Sequence, residues 1–163
     1  MLTIVVYTTS VIGVDRSTKV RRGGTPEEAA FLDLLRTADM LTRGADWVLK
    51  AEDLSLTQYN VLHILRGAPE GLPCGEIASR MITRDPDVTR LLDRMEHRAL
   101  ISRSRESRDR RLVLARIAPE GLKLVNRLDA PVQKIHRKQL GHMGKDGLRA
   151  LTELLASARA GKE

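Results

Sequence analysis

The sequence predicts a mostly α-helical fold that carries one small β-hairpin. From residue 25 onward, apolar residues recur at the three- and four-residue spacing of amphipathic helices through most of the chain. The exception is residues 100–117, in which two short strand-like runs flank the polar segment "ESRD". With 163 residues, the chain is long enough for one domain, or for one protomer that completes its core in a dimer.

Residues 25–52 are expected to form a first helix. Thr25 can cap it, Pro26 suits its first position, and Glu28 completes a capping box. Residues 1–24 precede this helix as an extension for which the sequence indicates no role. The extension begins with an apolar run that is too short to span a bilayer and lacks the leading basic residues of a signal peptide. No membrane partner is therefore expected.

Three shorter helices are expected next. The first, "SLTQYNVLHILRG", is capped by Ser55 or Thr57, and the second, "CGEIASRMI", follows the turn "APEGLP". The third, "RDPDVTRLLDRMEHRAL", has Asp85 as its expected cap and Pro86 as its first residue. The apolar positions of this third helix define a buried face: Val88, Leu91, Leu92 and Met95. The polar positions lie on the opposite side: Asp87, Thr89, Arg90, Asp93, Arg94 and His97.

The runs "LISRSR" and "RLVLARI" predict a β-hairpin whose turn lies within residues 106–109. Two more helices follow, "PEGLKLVNRLDAPVQKIHRKQL", with a potential kink at Pro131, and "KDGLRALTELLASARA". The apolar stripes of the first helix and of these last two can pack within one chain. A two-fold dimer explains their length better, because they exceed what a small domain needs to cover.

Three short helices followed by a basic hairpin indicate a winged helix-turn-helix. The last helix of such a domain presents its polar face to the major groove, and the hairpin, or wing, holds arginines near phosphates or the minor groove. A net charge of +7 favours a polyanionic partner, with nucleic acid ahead of an anionic membrane. Aromatic residues make up only 2% of the chain, which argues against binding of single strands by base stacking.

The expected organisation has four parts. Residues 1–24 form the extension, residues 25–52 a first dimerisation helix, residues 53–118 a DNA-binding domain, and residues 119–163 the C-terminal dimerisation helices. The helical dimerisation region is therefore drawn from both termini.

The residues give no sign of an enzyme. No nucleophile, base and orienting group occur together, and no glycine-rich phosphate loop is present. The four histidines and the single cysteine, Cys74, do not share a metal-ligand spacing, so no metal or other cofactor is expected. One cysteine suits a reducing cytoplasm, which is the expected location. Cys74 lies near a helix start, where a thiolate is favoured, but a half-buried packing residue is the preferred interpretation.

The stretch from Leu56 to Gly121 resembles the MarR family of bacterial transcriptional regulators. The matching segments are "LTQYNVLHIL", "EIASRM", "DVTRLLDRMEHRALISR" and, most specifically, "DRRLVLARIAPEG". The last segment resembles the wing signature of the family, an Asp-x-Arg followed by a strand and a Pro-x-Gly helix start. The resemblance extends more weakly over residues 25–160. Two positions depart from the family pattern: Ala99 stands where a glycine is usual, and Ala118 stands where a threonine caps the next helix.

The resemblance implies a set of DNA-facing residues. Asp109 and Arg111 match the wing-tip pair, in which the aspartate orients arginines and the arginine enters the minor groove. Arg90 matches a polar position of the recognition helix, and its neighbours Pro86, Asp87, Thr89 and Arg94 are assigned with it. The other wing arginines are expected to contact phosphates: Arg103, Arg105, Arg108 and Arg110. Asp93 lies at short helical spacing from Arg90 and Arg94, and it is expected to orient an arginine, because its own charge would repel phosphate.

The sequence therefore predicts a regulator that binds a specific double-stranded DNA sequence. The resemblance further implies a homodimer on a pseudo-palindromic operator and a repressor that responds to a small-molecule effector. Trp47, Tyr59 and His63 can border an effector pocket or belong to the core. The alternative from another class is a non-catalytic, basic architectural protein that binds DNA or RNA without choosing a sequence.

The wing-tip pair gives the first test. Arg111→Ala should weaken DNA binding and flatten its salt dependence by about one unit per wing, because each neutralised phosphate contributes roughly 0.9 to the slope. Asp109→Ala should also weaken binding, although it removes a negative charge, because its expected role is to orient an arginine. Titrations at several salt concentrations check both. Tighter binding by Asp109→Ala would mean that the wing is only a cationic patch.

Overall fold

The computed structural model describes residues 24–83, 85–105 and 113–161. The chain divides within its first helix into two units, Met1–Thr37 and Ala38–Glu163. The helices are α1 (Pro26–Lys50), α2 (Leu56–Arg66), α3 (Cys74–Arg80), α4 (Val88–His97), α5 (Pro119–Leu140) and α6 (Gly144–Arg159). A short 3₁₀ turn, Gly141–Met143, separates the last two. The strands are β1 (Leu72–Pro73), β2 (Ile101–Arg105) and β3 (Val113–Ile117). The expected mostly helical fold with a small hairpin is confirmed.

The first unit contributes residues 24–37 to the described part of the chain. As expected, the Thr25 side chain caps α1, since its Oγ1 accepts a hydrogen bond of 3.3 Å from the backbone N–H of Glu28. Three large apolar side chains in the described part of this unit, Phe31, Leu34 and Leu35, are exposed.

The second unit contains a core built where α2, α3, α4, α5 and the sheet meet. Its fully buried side chains include Leu62, Leu65, Ile77, Leu92, Met95, Ile101 and Val125. The part of α1 in this unit contacts α5, because Nε2 of Gln139 donates to the carbonyls of Met40 and Leu41 at 3.3 and 3.2 Å. Gly44 lies beside that amide, where a Cβ atom would collide with it.

Side-chain caps set the starts of α2 and α4. Ser55, one of the two expected residues, caps α2 in a reciprocal capping box with Gln58. The prediction that Asp85 caps α4 is wrong. Asp85 instead accepts from the backbone N–H of Asp87 at 2.9 Å, which is an Asx turn that keeps Pro86 outside the helix. Asp87 is the cap, and it accepts from the backbone N–H of Arg90 at 3.1 Å.

The expected hairpin is present and forms part of a larger sheet. β2 and β3 pair antiparallel from Ile101 opposite Ile117 to Arg105 opposite Val113. β1 adds to the outer edge of β3, so the strand order is β1-β3-β2. β1 lies within residues that the sequence had indicated to be a turn, because two residues including a proline carry no strand periodicity. Gly71 precedes it at φ +87°, close to the carbonyl of Ala115.

The chain turns tightly between α4 and β2, beside the start of α5. Ala99 has φ +53°, a left-handed conformation that costs a residue with a Cβ atom about 1 kcal/mol. The N–H of Leu100 donates to the carbonyl of Met95, and its own carbonyl accepts from Ala118, both at 3.0 Å. Ala118 is the N-cap of α5 and has no side-chain cap bond, and the helix continues through Pro131. At both positions that depart from the family pattern, the backbone geometry favours the residue that is usual in the family. A glycine would adopt the left-handed conformation at position 99 without strain, and a threonine at position 118 could cap α5.

Gly121→Ala should destabilise the protein by about 3 kcal/mol. A Cβ atom at position 121 would collide with the carbonyl of Leu100 and lie 3.1 Å from a methyl of Leu62. Urea unfolding at one fixed protein concentration measures the change in free energy. Gly75→Ala is the matched control in α3, where a Cβ atom meets no atom within 4 Å. The control should stabilise the protein by about 0.5 kcal/mol. Equal effects of the two substitutions would contradict the close approach at Gly121.

Candidate nucleic-acid interface

Helix α4 has a buried apolar face and an exposed polar face. Its buried residues are those expected from the sequence, namely Val88, Leu91, Leu92 and Met95. The exposed residues of the helix lie on the other side: Thr89, Arg90, Arg94 and His97. The apolar face fixes α4 against the core, so its charged side is presented to solvent as a rigid surface. We call α4 the recognition helix and residues 101–117 the wing.

The start of the recognition helix brings together four of the expected DNA-facing residues. Pro86, Thr89 and Arg90 are exposed, and Asp87 is half-buried as the cap. A second oxygen of the Asp87 carboxylate lies 3.0 Å from Nε of Arg90, whose side chain is 79% exposed. Such an exposed pair is weak. It orients the guanidinium without withdrawing it from a ligand.

Arg94 lies one turn further along the recognition helix and is exposed. Within residues 24–83, 85–105 and 113–161, no carboxylate lies within ion-pair distance of Arg94. It lines an open cleft of about 720 Å³ between the end of α1, the start of α2 and the end of α4. The cleft also carries charged residues of both signs, including Asp46, Lys50 and Arg98.

Arg103, an expected phosphate contact, is held by two carboxylates of the recognition helix. Its Nε and Nη2 atoms donate to Oε2 of Glu96 at 2.8 and 2.6 Å, and its backbone N–H donates to Oε1 at 2.9 Å. Nη2 also lies 2.6 Å from Oδ1 of Asp93. The hydrogen bonds from Arg103 lower the pKa of Glu96, and those to Glu96 raise the pKa of Arg103. Asp93 contacts an arginine, as expected, but that arginine is Arg103 of the wing and not its helix neighbours Arg90 and Arg94.

Of the remaining wing arginines, Arg105 and Arg116 lie within the described residues. Arg105 is exposed at the end of β2. Arg108, Asp109, Arg110 and Arg111 lie outside the described residues, so their roles stay predictions. Arg116 was not among the expected site residues. It is half-buried on β3, and its Nη1 donates to Oγ of Ser104 at 2.6 Å. Its position in the predicted strand "RLVLARI" is the signal that could have added it to the expected wing arginines.

A polar cluster joins α2 to α5. Arg66 donates to Asp129 at 2.7 Å through Nη1 and to Nδ1 of His63 at 3.1 Å through Nη2. The proton of the His63 ring is then on Nε2, which lies 3.2 Å from Asp129 outside hydrogen-bond geometry. The Tyr59 hydroxyl donates to the same carboxylate at 3.5 Å. Tyr59 and His63 are thus half-buried in this cluster, whereas Trp47 is 78% exposed.

The charges of this cluster shift each other's protonation. Hydrogen bonds from Arg66 hold the pKa of Asp129 below its ordinary value. Burial, reinforced by the charge of Arg66, lowers the pKa of His63. Burial and the negative charge of Asp129 raise the pKa of Tyr59 to about 12. At neutral pH the cluster therefore holds an Arg66–Asp129 ion pair beside a neutral imidazole.

No group of three or more His, Cys, Asp or Glu side chains among the described residues is arranged to hold a metal ion. None of the helices in that part of the chain is long and apolar enough to cross a membrane.

This chain is similar to known proteins both in sequence and in structure. Residues 54–113 match the family model described as the MarR family. A solved MarR transcription factor from Planctomyces limnophilus is 36% identical, with a TM-score of 0.63, over 83% of this chain and 98% of that one. The HTH-type transcriptional regulator PecS of Dickeya dadantii (strain 3937) is 30% identical over 97 residues, and the match spans 58% of each protein.

A third relative shares the fold at lower identity. The structure of Bordetella bronchiseptica BpsR, whose DNA binding is regulated by 6-hydroxynicotinic acid, has a TM-score of 0.76 at 20% identity. The match covers 85% of this chain and 99% of that one. The order of helices around the recognition helix and the wing is therefore shared by proteins of quite different sequence.

Proposed function

This chain belongs to the MarR family of DNA-binding transcriptional regulators, and from that premise we propose that it binds a pseudo-palindromic operator as a homodimer. We propose further that it acts as a repressor whose hold on the operator is controlled by a small molecule. The observation that carries the proposal is the recognition helix, whose apolar face is buried and whose opposite face presents Arg90 and Arg94.

The chemistry of that face suits the major groove of duplex DNA. Arginine at an exposed helix position can donate two hydrogen bonds to the O6 and N7 atoms of guanine. Thr89 and Arg90 lie in the first turn of α4, the end of the helix that reaches base edges in helix-turn-helix proteins. Arg105 on the adjacent wing adds positive charge that is suited to the phosphates on either side.

Exposed apolar side chains support the homodimer. In the first unit, Phe31, Leu34 and Leu35 are open to solvent. In the second unit, no residue of α6 is buried, and Leu154 is 69% exposed. Exposed apolar side chains at helical spacing are typical of a subunit interface. A two-fold dimer would present two recognition helices to the two halves of a palindrome.

The cleft beside the recognition helix supports control by a small molecule. Its volume of about 720 Å³ lies within the range of known ligand sites, which is roughly 300–1,000 Å³. Arg94 and His97 form part of its wall, so a molecule bound there would contact the recognition helix directly. The regulation of BpsR by 6-hydroxynicotinic acid is a precedent on the same fold.

The first experiment selects bound duplexes from a pool of randomised 30-bp DNA with the full-length protein. The enriched sequences should form an inverted repeat with half-site centres about one helical turn, or ~10 bp, apart. Hydroxyl-radical footprinting should show protection of both half-sites. Recovery of unbiased sequence would instead favour the architectural alternative, and protection of a single half-site would contradict the dimer.

The dimer has its own pair of variants. Leu154→Glu should shift the protein from dimer to monomer in light scattering and weaken operator binding as a consequence, because it places a charge on the apolar stripe of α6. Thr152→Glu adds the same charge on the same helix, about 200° around its axis from Leu154. This control should remain dimeric. A Leu154→Glu variant that stays dimeric would remove α6 from the proposed interface.

Arg90→Ala tests base recognition. It should cost about 1–3 kcal/mol of binding free energy on the selected operator and relax base preference at one position per half-site. Arg149→Ala removes another exposed arginine, this one from α6, and should leave that preference intact. Competition binding against single-base operator variants measures it. An equal loss on operator and random DNA would mean that Arg90 contacts only phosphate.

A further inference from the structure

We propose that Arg103 is a positioning residue that fixes the wing against the recognition helix, so that discrimination of the operator from random DNA depends on it. This inference rests on the proposed function. It assigns Arg103 to a link within the protein rather than to a phosphate contact.

The contacts of Arg103 join two separate parts of the interface. Glu96 lies in the last turn of the recognition helix and Asp93 one turn earlier, while Arg103 lies on β2 of the wing. Glu96 accepts from both the backbone and the side chain of Arg103, and Asp93 accepts from the far end of the guanidinium. The main chain and the side chain of one wing residue are therefore both attached to α4. We call these three residues the wing clamp.

The clamp supplements a short covalent connection. Only Arg98, Ala99 and Leu100 separate α4 from β2, and Ala99 takes its left-handed conformation there. The bond from Leu100 to Met95 fixes the base of the wing, but it lies at the start of β2. Arg103 is two residues further along the strand. Its attachment there limits movement of β2 relative to the recognition helix.

Charge and exposure argue against a phosphate contact by Arg103. Its side chain is 26% exposed, compared with 79% for Arg90. The clamp contains one positive and two negative groups, so it carries a net negative charge and does not attract a phosphate. Charge-assisted hydrogen bonds of 2.6–2.8 Å are also stronger than those between neutral groups, and DNA would have to break them to capture the guanidinium.

The two roles predict opposite effects of Glu96→Gln. If Arg103 contacts phosphate, the substitution frees the guanidinium, removes a negative charge, and tightens binding to all DNA. If Arg103 positions the wing, the substitution loosens the wing and lowers the preference for the operator. The amide that this substitution introduces retains an oxygen that can accept the backbone N–H of Arg103, so the strand should remain folded.

The experiment compares Glu96→Gln, Arg103→Gln and the exchange Glu96→Arg/Arg103→Glu in the full-length protein. The controls are Asp146→Asn and Arg149→Gln, which change charge by the same amounts in an exposed pair on α6. Each protein is titrated with the duplex selected by the wild-type protein and with a scrambled duplex, at several salt concentrations. Each single clamp variant should lower the affinity ratio of the two duplexes about tenfold. The exchange should recover most of that ratio, and the controls should not change it.

A second measurement needs no operator. Hydrogen–deuterium exchange of the free protein should be faster in peptides covering residues 101–105 and 113–117 of both single clamp variants, with the core of α2 unchanged. Unchanged exchange in the wing would overturn the clamp. So would tighter binding of both duplexes by Glu96→Gln together with a salt slope lowered by roughly 0.9 per subunit in Arg103→Gln. If the wild-type protein shows no operator preference, the proposed function fails, while the exchange result still decides whether the clamp exists.

Discussion

The backbone of Leu100 connects the recognition helix, the wing and α5. Its N–H closes the end of α4 at Met95, and its carbonyl accepts from Ala118 at the start of α5. Gly121 has no Cβ atom, which allows the first turn of α5 to lie against that carbonyl. Because these three elements meet through main-chain atoms, their relative orientation tolerates little change. The exposed arginines of α4 and the strands of the wing are therefore held on one rigid support.

The attraction of the protein to DNA and the positions of its arginines depend on different parts of the charge distribution. The net charge of +7 supplies a long-range attraction for a polyanion that salt readily screens. The carboxylates at the interface act at short range instead. Asp87 caps the recognition helix and orients Arg90, while Asp93 and Glu96 bind Arg103. Acidic residues on a basic face thus determine where the positive charges lie, and total charge alone is a poor guide to which arginine contacts DNA.

Features that depend on local periodicity were predictable from the sequence, and those that depend on distant partners were not. The buried face of α4, a cap for α2 at Ser55 or Thr57 and the presence of a hairpin follow from residues close together in the chain. β1 forms only because β3 offers it an edge, and Arg103 is withdrawn from solvent only because α4 brings two carboxylates to it. The shift of the α4 cap to Asp87 arose from competition between two nearby aspartates, which spacing alone does not decide.

The polar cluster of Arg66, Asp129 and His63 makes the contact between α2 and α5 sensitive to acid in two stages. His63 accepts a hydrogen bond from Arg66 through Nδ1, so protonation of the ring would place a second cation against the guanidinium. Since folding lowers the pKa of His63, the unfolded chain binds more protons as the pH falls below about 6.5, and stability declines from there. Asp129, whose pKa is also lowered, keeps its charge to a pH below the ordinary value of an aspartate. Mild acid therefore disturbs the histidine first, while the Arg66–Asp129 pair still ties α2 to α5.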